Sequence, residues 1–495
     1  MTLRMALFSD SAPEPLAHAL KAEAAQRGLT LDLRIWGFTW PTVVAEELAA
    51  FAPEAILVWA CAEAGRFPNV AELCTLPYPF YLYNMVACDD GTCGSLALTY
   101  APARRAQCLA WNQALYALAA REPRITPLDL EGLVARIGRN AAFDPRLWEA
   151  CAMALTPAVL PAVARQTLAE LMARRGYLRK VLVTDLDGTL WAGTLSETGA
   201  AGIDPDAPGF ATYRQWLQAL SKRGILLAIA SRNDRPAVLD ALTKHAIDPA
   251  NFAAIEADWG DKPAMLRRIA ERLHVAPEAM VFIDDRPEQR AAVREALPAV
   301  AVPEIPEDPA CRPAFLAEEN LFVCAQITAE DGLRTLALQA DEARRASATP
   351  ALSPEAYGAS LGQALIAEPL GPATCDRAAQ LTQRCNQFNM RGTRHTADEL
   401  RGKRGWVYRL TDRFGDMGLI SAVILEGNFI ETWVLSCRAL NRGVEALILD
   451  HLRRQGPLFG EYLPTARNAR CKGLYEAAGF PVRAPTSRGV AHDDP

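Results

Sequence analysis

The chain has 495 residues, of which half are hydrophobic and 22% charged, enough apolar material for several cores and a soft expectation of about three domains. Its formal net charge of −6 comes without a basic block, which argues against a nucleic-acid surface. No apolar run approaches the roughly 20 residues of a membrane span and the first residues lack a signal-peptide layout, so no membrane partner and a cytoplasmic location are expected.

Residues 1–150 alternate strand-like and helix-like segments. Arg4–Phe8 and Ala55–Ala60 read as strands, Leu16–Gly28 and Val43–Phe51 as the helices between them, so a parallel α/β sheet is expected. Residues 151–177 read as an Ala-rich helical connector. Twelve cysteines are scattered with no short-spaced framework, as expected of reduced, buried thiols. Cys88 and Cys93 resemble half a zinc site, but no CxxC partner or nearby histidine completes it.

A second domain is expected over 178–305. The run Val181-Leu-Val-Thr-Asp-Leu-Asp-Gly-Thr-Leu-Trp191 is a buried strand that delivers Asp185 and Asp187 into a Gly188-Thr189 turn. Two acids spaced this way suit phosphoryl transfer: one attacks phosphorus, the other handles the proton of the leaving oxygen, and both help hold Mg²⁺. A second buried strand, Ile225–Ser231, ends in a hydroxyl able to donate to phosphate. Lys262, in Trp259-Gly-Asp-Lys-Pro263, offers an ammonium against phosphoryl charge. A third strand, from Met280, ends in Asp284 and Asp285, and a hard cation needs a carboxylate such as Asp284 beside the earlier pair. Little sequence separates Asp187 from Ser231, so little is available to build a lid over the site.

The Pro- and acid-rich Val302–Pro309 closes this domain, and 306–359 reads as a linker with helices over 328–346 and a joint at Ser347–Pro354. In the last domain, 360–495, Trp406–Leu410, Gly418–Leu425 and Phe429–Ser436 read as antiparallel strands with turns at Asp412–Gly415 and Glu426–Asn428. Cys437 and Arg438 then lead through Arg442 and Gly443 into a helix reaching Leu452. Such an Arg/Gly-rich turn at a helix N-terminus offers backbone N–H groups and a dipole to an anion. Cys437, beside Arg438, has a setting that lowers a thiol pKa and suits an acyl carrier; a buried core cysteine is the bland alternative.

In this order the four middle motifs resemble those of haloacid dehalogenase (HAD) phosphatases, which implies a Rossmann-like core. Asn468 to Phe480, including Tyr475, is similar to the closing segment of the GNAT acyltransferase fold. There, the phosphate-binding turn holds the pyrophosphate of acyl-CoA; pantetheine contacts are expected from Arg438, Arg442, Gly443, Asn468 and Tyr475. Together with Leu381-Thr-Gln-Arg-Cys-Asn-Gln-Phe-Asn389, Asp412–Asp416 and Ser436–Arg438, the stretch 175–485 resembles the FkbH family of polyketide pathways. The resemblance implies a glyceryl transferase and phosphatase that takes 1,3-bisphosphoglycerate, removes both phosphates and leaves glyceryl as a thioester on an acyl carrier protein. On that basis Asp185 is the phosphoryl nucleophile and Asp187 the general acid/base, binding Mg²⁺ through its carbonyl. Asp185 and Asp284 complete the metal set, Gly188, Thr189, Ser231 and Lys262 hold phosphate, and Cys437 carries the glyceryl group. The chain departs from the family at Gly188 (usually Asn), Arg286 (usually Asn) and Asn441 (more often Gly). The alternatives are a HAD phosphatase fused to a GNAT N-acyltransferase that uses acyl-CoA, with Tyr475 as general acid, and a non-enzymatic carrier-protein scaffold. The N-terminal part resembles SGNH hydrolases through Phe8-Ser-Asp-Ser11. Ser9 and Ser11 are its candidate nucleophiles, but no histidine occurs between His18 and His245, so a docking or structural role is expected. The fold class is thus multi-domain α/β: a Rossmann-like HAD core between an SGNH-like α/β domain and a GNAT-like α+β domain.

Overall fold

A computed structural model describes residues 2–87, 91–324, 340, 353–385, 387–465 and 468–483. Cys88, nearly all of the expected helix 328–346 and most of the joint that follows lie outside the described residues. The chain divides into two compact units, Met1–Asp331 and Gly332–Pro495.

The first unit holds two parallel sheets. Strands β1 (Thr2–Ser9), β2 (Thr30–Gly37), β3 (Ala55–Trp59), β4 (Phe80–Tyr83) and β5 (Ile125–Leu128) form one, in the order β2-β1-β3-β4-β5. Alternate side chains leave opposite faces of a strand, so each strand feeds two cores. Met5, Leu7, Leu57, Tyr81 and Tyr83 join one cluster; Ala6, Phe8, Ile56, Val58 and Phe80 join the other. The helix Leu160–Arg174, expected as a connector, belongs to the first of these cores. Val163, Ala164, Leu168 and Leu171 are buried there, and Thr167 Oγ1 hydrogen-bonds Tyr83 Oη.

Strands β6 (Val181–Thr184), β7 (Leu226–Ser231), β8 (Ala254–Ala257) and β9 (Met280–Ile283) make the second sheet, all parallel, in the order β8-β7-β6-β9. Their near-continuous apolar runs fit a sheet covered on both faces. The core on one face continues past residue 305, where the sequence suggested a linker. Ile305, Leu316 and Phe322 are buried with Leu182, Tyr213, Ile229 and Val281. The prolines of 302–309 break secondary structure without ending the core.

The second unit is built on an antiparallel sheet of β10 (Ala364–Pro369), β11 (Arg404–Asp412), β12 (Gly415–Glu426) and β13 (Phe429–Leu435), in that order. Two-residue connections at Arg413-Phe414 and Gly427-Asn428 close the β11–β12 and β12–β13 hairpins. The helix Pro372–Arg384 covers one face through Ala378 and Leu381, and Val444–Arg453 covers the other through Ile448 and Leu452. Among the described residues no helix is long and apolar enough to cross a membrane.

Candidate active site

The parallel register of β6 and β9 pairs Thr184 with Ile283, so the residues that follow, Asp185 and Asp284, emerge side by side at the carboxyl ends of the two strands. The backbone N–H of Asp185 donates to Ile283 O at 2.9 Å and fixes that adjacency. Lys262 follows β8, at the carboxyl end of the same parallel sheet. It opens the helix Lys262–Leu273 after β8, behind an Asp261 cap that accepts from Ala264 N.

The Lys262 side chain is buried. Its Nζ lies 2.5 Å from Asp185 Oδ1 and 3.2 Å from Asp284 Oδ2, and donates to Ala230 O at 2.6 Å. Asp284 Oδ1 accepts from Arg286 N, whereas its buried Oδ2 has the Lys262 ammonium at 3.2 Å and no other polar partner among the described residues. Asp285 is the residue the sequence reading left out of the metal set. Its carboxylate comes within 4.8 Å of those of Asp185 and Asp284, and among the described residues these three are the one group of acids arranged to hold a metal ion.

The electrostatics follow from this crowding of acids. Burial raises the pKa of Asp185, with Lys262 opposing and Asp284 adding to the rise. Burial likewise raises Asp284 and Asp285. For Lys262 burial works the other way, but Asp185 and Asp284 outweigh it and the ammonium is held more firmly protonated. Three carboxylates against one ammonium, with Asp284 Oδ2 met by that ammonium alone, fit a small hard cation.

Asp187 stands apart from the cluster. Its Oδ1 accepts from Trp191 Nε1 (2.8 Å) and Leu195 N (3.0 Å), and its Oδ2 from Asn233 Nδ2 (2.8 Å). Its side chain is therefore not part of the metal set. Asn233 also donates to Ser231 Oγ at 3.0 Å, leaving the Ser231 proton for another acceptor. Sequence reasoning passed over Asn233, although its place two residues after Ser231 in a strand-end turn is a usable signal.

Gly188 has a left-handed backbone (φ 68°), and a Cβ there would lie 2.4 Å from Asp285 Oδ2. The glycine thus lets the third carboxylate approach. Thr189 Oγ1 donates to Asp285 Oδ1 (3.2 Å) and accepts from Asp285 N (3.0 Å), so its hydroxyl serves Asp285 and is not free to bind phosphate. Behind the turn, buried Arg312 donates to Gly188 O (2.8 Å), and Arg290 donates to the carbonyls of Asp284 (2.9 Å) and Asp285 (2.8 Å). Neither arginine was singled out from sequence, because backbone carbonyl partners leave no motif.

The candidate residues of the second unit divide differently. Cys437 opens the short turn Cys437–Ala439 after β13, and its side chain lies outside the described part of the structure. Arg438 Nη2 donates to Met417 O at 3.5 Å. Asn441 and Gly443 both take left-handed backbones (φ 61° and 68°), so asparagine sustains the turn where the resembled family favours glycine. Three expected pantetheine contacts face inward instead. Arg442 is buried against Asp412 Oδ2 (3.5 Å) and Met417 Sδ (3.3 Å). Asn468 is buried, donating to Asn389 O and Leu463 O and accepting from Thr465 N. Tyr475 is fully buried against Trp433 and Phe480, its hydroxyl without a partner and its pKa pushed up by burial. The turn is also covered: a Cβ on Gly443 would lie 3.1 Å from Glu355 Cα, in the helix Pro354–Ser360.

In the N-terminal sheet both candidate serines hydrogen-bond backbone groups. Ser9 Oγ donates to Ser11 O and accepts from Ser11 N, and Ser11 Oγ donates to Ala152 O.

Residues 197–296 match the family model for haloacid dehalogenase-like hydrolases, a span that includes Ser231, Lys262, Asp284 and Asp285. Among solved structures the chain is similar to the N-terminal part of protein BF1531 from Bacteroides fragilis, which contains a phosphatase domain complexed with Mg. The two share 26% identity and a TM-score of 0.60, over 66% of this chain and 95% of that one. A LacI transcriptional regulator from Rhodococcus (14% identity, TM-score 0.16, covering 70% of this chain and 92% of that one) superposes too poorly to bear on fold or function. The same holds for a C2-type ketoreductase from a modular polyketide synthase (11%, 0.20, 69% and 77%). No curated protein gives a significant match. The second sheet of the first unit therefore carries a haloacid dehalogenase-like hydrolase domain.

Proposed function

We propose that the chain is a Mg²⁺-dependent phosphatase with Asp185 as its nucleophile, and that its substrate phosphate belongs to a glyceryl unit bound for a carrier-protein thioester. The observation that carries the first half is the cluster of Asp185, Asp284 and Asp285, three carboxylates with the single Lys262 ammonium against two of them. Its similarity to a Mg-complexed phosphatase domain agrees. Asp185 Oδ attacks phosphorus, the ester P–O bond breaks, and Asp187 gives its proton to the leaving oxygen. Water then cleaves the aspartyl phosphate, and Asp187 takes back a proton. Lys262 and the Ser231 hydroxyl hold the phosphoryl oxygens. Asp185, Asp284 and Asp285, with the Asp187 carbonyl, would hold Mg²⁺, which would supply charge neutralisation to the transferring group.

The finer half rests on the sequence motifs of the second unit and on the order β13, Cys437, left-handed turn, helix. The acyl phosphate of 1,3-bisphosphoglycerate is reactive enough for the Cys437 thiolate to displace phosphate without ATP. The remaining monoester is inert, with enzymatic accelerations of such hydrolyses reaching ~10²¹, and so requires the carboxylate site. A pantetheine thiol of an acyl carrier protein then takes the glyceryl group by thioester exchange. The rival N-acyltransferase reading needs Tyr475 as an accessible acid, and its burial weighs against that.

Intact-protein mass spectrometry with Mg²⁺ and enzymatically generated 1,3-bisphosphoglycerate tests both halves. The expected result is a glyceryl-sized adduct on wild type that is absent from Cys437→Ala and passes to a holo carrier protein. No adduct and no loaded carrier, with hydrolysis of simple phosphate monoesters intact, would remove the glyceryl reading and leave the phosphatase. Loss of monoester hydrolysis on Asp185→Asn is expected in either case.

A further inference from the structure

The first sheet changes direction at its centre: β1 leads to β2 on one side, and β3 returns to the other side of β1. Open parallel sheets bind ligands in the crevice outside the carboxyl ends of strands at such a switch point. Here that crevice is a cavity of ≈ 410 Å³ at the ends of β1, β2 and β3. Its size is that of a small-molecule site.

The lining is mostly apolar, with the rings of Phe8, Trp40, Trp59 and Phe67 among its walls. At the rim, Phe38 is 56% exposed and Val43 73% exposed. Phe38 also holds a left-handed backbone (φ 57°), tied by its N–H to Ser9 O. A bulky residue in that region is strained, and such strain concentrates at functional sites.

Three polar groups set the ligand chemistry. The Trp40 indole N–H is buried and has no acceptor. Arg66 lines the cavity, is exposed, and makes no hydrogen bond or ion pair among the described residues. Asp10 is half-buried, with Oδ1 accepting from Cys61 N at 2.8 Å. The serines beside it are committed to backbone groups and no histidine lines the cavity, so the site is built for binding rather than hydrolysis.

We propose that this crevice binds a small apolar amino or hydroxy acid. An aromatic body lies between the rings, a hydroxyl or ammonium donates to Asp10, and a carboxylate meets Arg66 and the Trp40 N–H. The proposal is independent of the reaction assigned to the carboxylate site.

Calorimetric titration of the full chain with L-phenylalanine, L-3-phenyllactate, 3-phenylpropanoate and phenethylamine tests it. Saturable binding is expected for at least one of the first two, and which one binds distinguishes ammonium from hydroxyl. The last two, each lacking one polar group, should bind at least about tenfold more weakly, and Arg66→Ala should weaken the favoured ligand by about tenfold or more. Trp40→Phe should do likewise, with phosphatase activity unchanged in both variants. Absence of saturable binding by either acid up to about 10 mM, or binding that Arg66→Ala leaves intact, overturns the proposal. Equal affinity for 3-phenylpropanoate overturns the donor assigned to Asp10.

Discussion

Replacing Lys262 with Met tests the electrostatic account of the carboxylate site most directly. The ammonium is buried between Asp185 (2.5 Å) and Asp284 (3.2 Å), and the linear Met side chain keeps most of its volume. Removing one partner of a buried pair leaves an uncompensated charge and costs about 3–5 kcal/mol. Two further facts set the sign with pH. Burial already pushes Asp185 from 3.8 up to about 6, so between those values the folded state binds more protons than the unfolded one. Stability therefore falls as pH rises through that window, and loss of Lys262, which opposes the rise, widens the window upward. Lys262 itself, its pKa raised, stabilises at every pH below its ordinary 10.5, so wild type keeps its protection across the neutral range. Because the chain has two units, a single unfolding free energy is ill-defined; hydrogen exchange of peptides covering β6 and β9 reads the local core instead. With chelator present, exchange corrected for intrinsic rate should quicken by roughly two to three and a half decades in Lys262→Met at pH 8, and by much less at pH 5. Added Mg²⁺ should restore much of the protection. A change below about tenfold, equal at both pH values, would refute the reasoning.

Three further outcomes follow from the same geometry. Gly188→Ala places a methyl 2.4 Å from Asp285 Oδ2 on a left-handed backbone, so Asp285 must shift; Mg²⁺ affinity measured by calorimetry should fall about 10–100-fold, with about 1–2 kcal/mol of backbone strain. Asp285→Asn keeps the size and the Thr189 contact but removes one charge, so its loss should appear in Mg²⁺ affinity and be partly recovered at high Mg²⁺. Asn233→Ala frees Asp187 Oδ2 and Ser231 Oγ without touching the metal set, so kcat should drop about tenfold or more while Mg²⁺ affinity stays put.

The carboxylate site was legible because its chemistry sits at strand ends. Apolar runs ending in acids mark β6 and β9, and parallel pairing of the runs brings Asp185 and Asp284 together with no further information. The contributions of Arg312 and Arg290 were not legible. They act through backbone carbonyls of Gly188, Asp284 and Asp285, whose positions depend on the folded chain. Asp285 lay between these extremes: it was visible as one of a pair of acids, but its reach into the cluster depends on Gly188, nearly a hundred residues earlier, having no side chain.

The second unit shows where residue type misleads. The long apolar runs of β11, β12 and β13 between turn residues declared the antiparallel hairpins, whereas β10, Ala364–Pro369, is short and has no fully buried residue, so it escaped notice. Arg442, Asn468 and Tyr475 were expected as ligand contacts because their segments resemble the phosphate-binding turn and closing segment of the GNAT fold. The same segments have backbone groups that must be satisfied inside the fold. Asn468 meets three of these demands at once, at Leu463, Thr465 and Asn389, and also accepts from the Tyr462 hydroxyl, while Arg442 neutralises an Asp412 that ends β11. Sequence spacing cannot separate the two uses, since both place a polar residue after a strand. What separates them is whether the polar atom already has a partner. By that measure the Trp40 N–H, buried and without a hydrogen bond, points to a ligand more strongly than the arginine and asparagine of the turn, and Asp284 Oδ2, with the Lys262 ammonium as its one partner, stands between them.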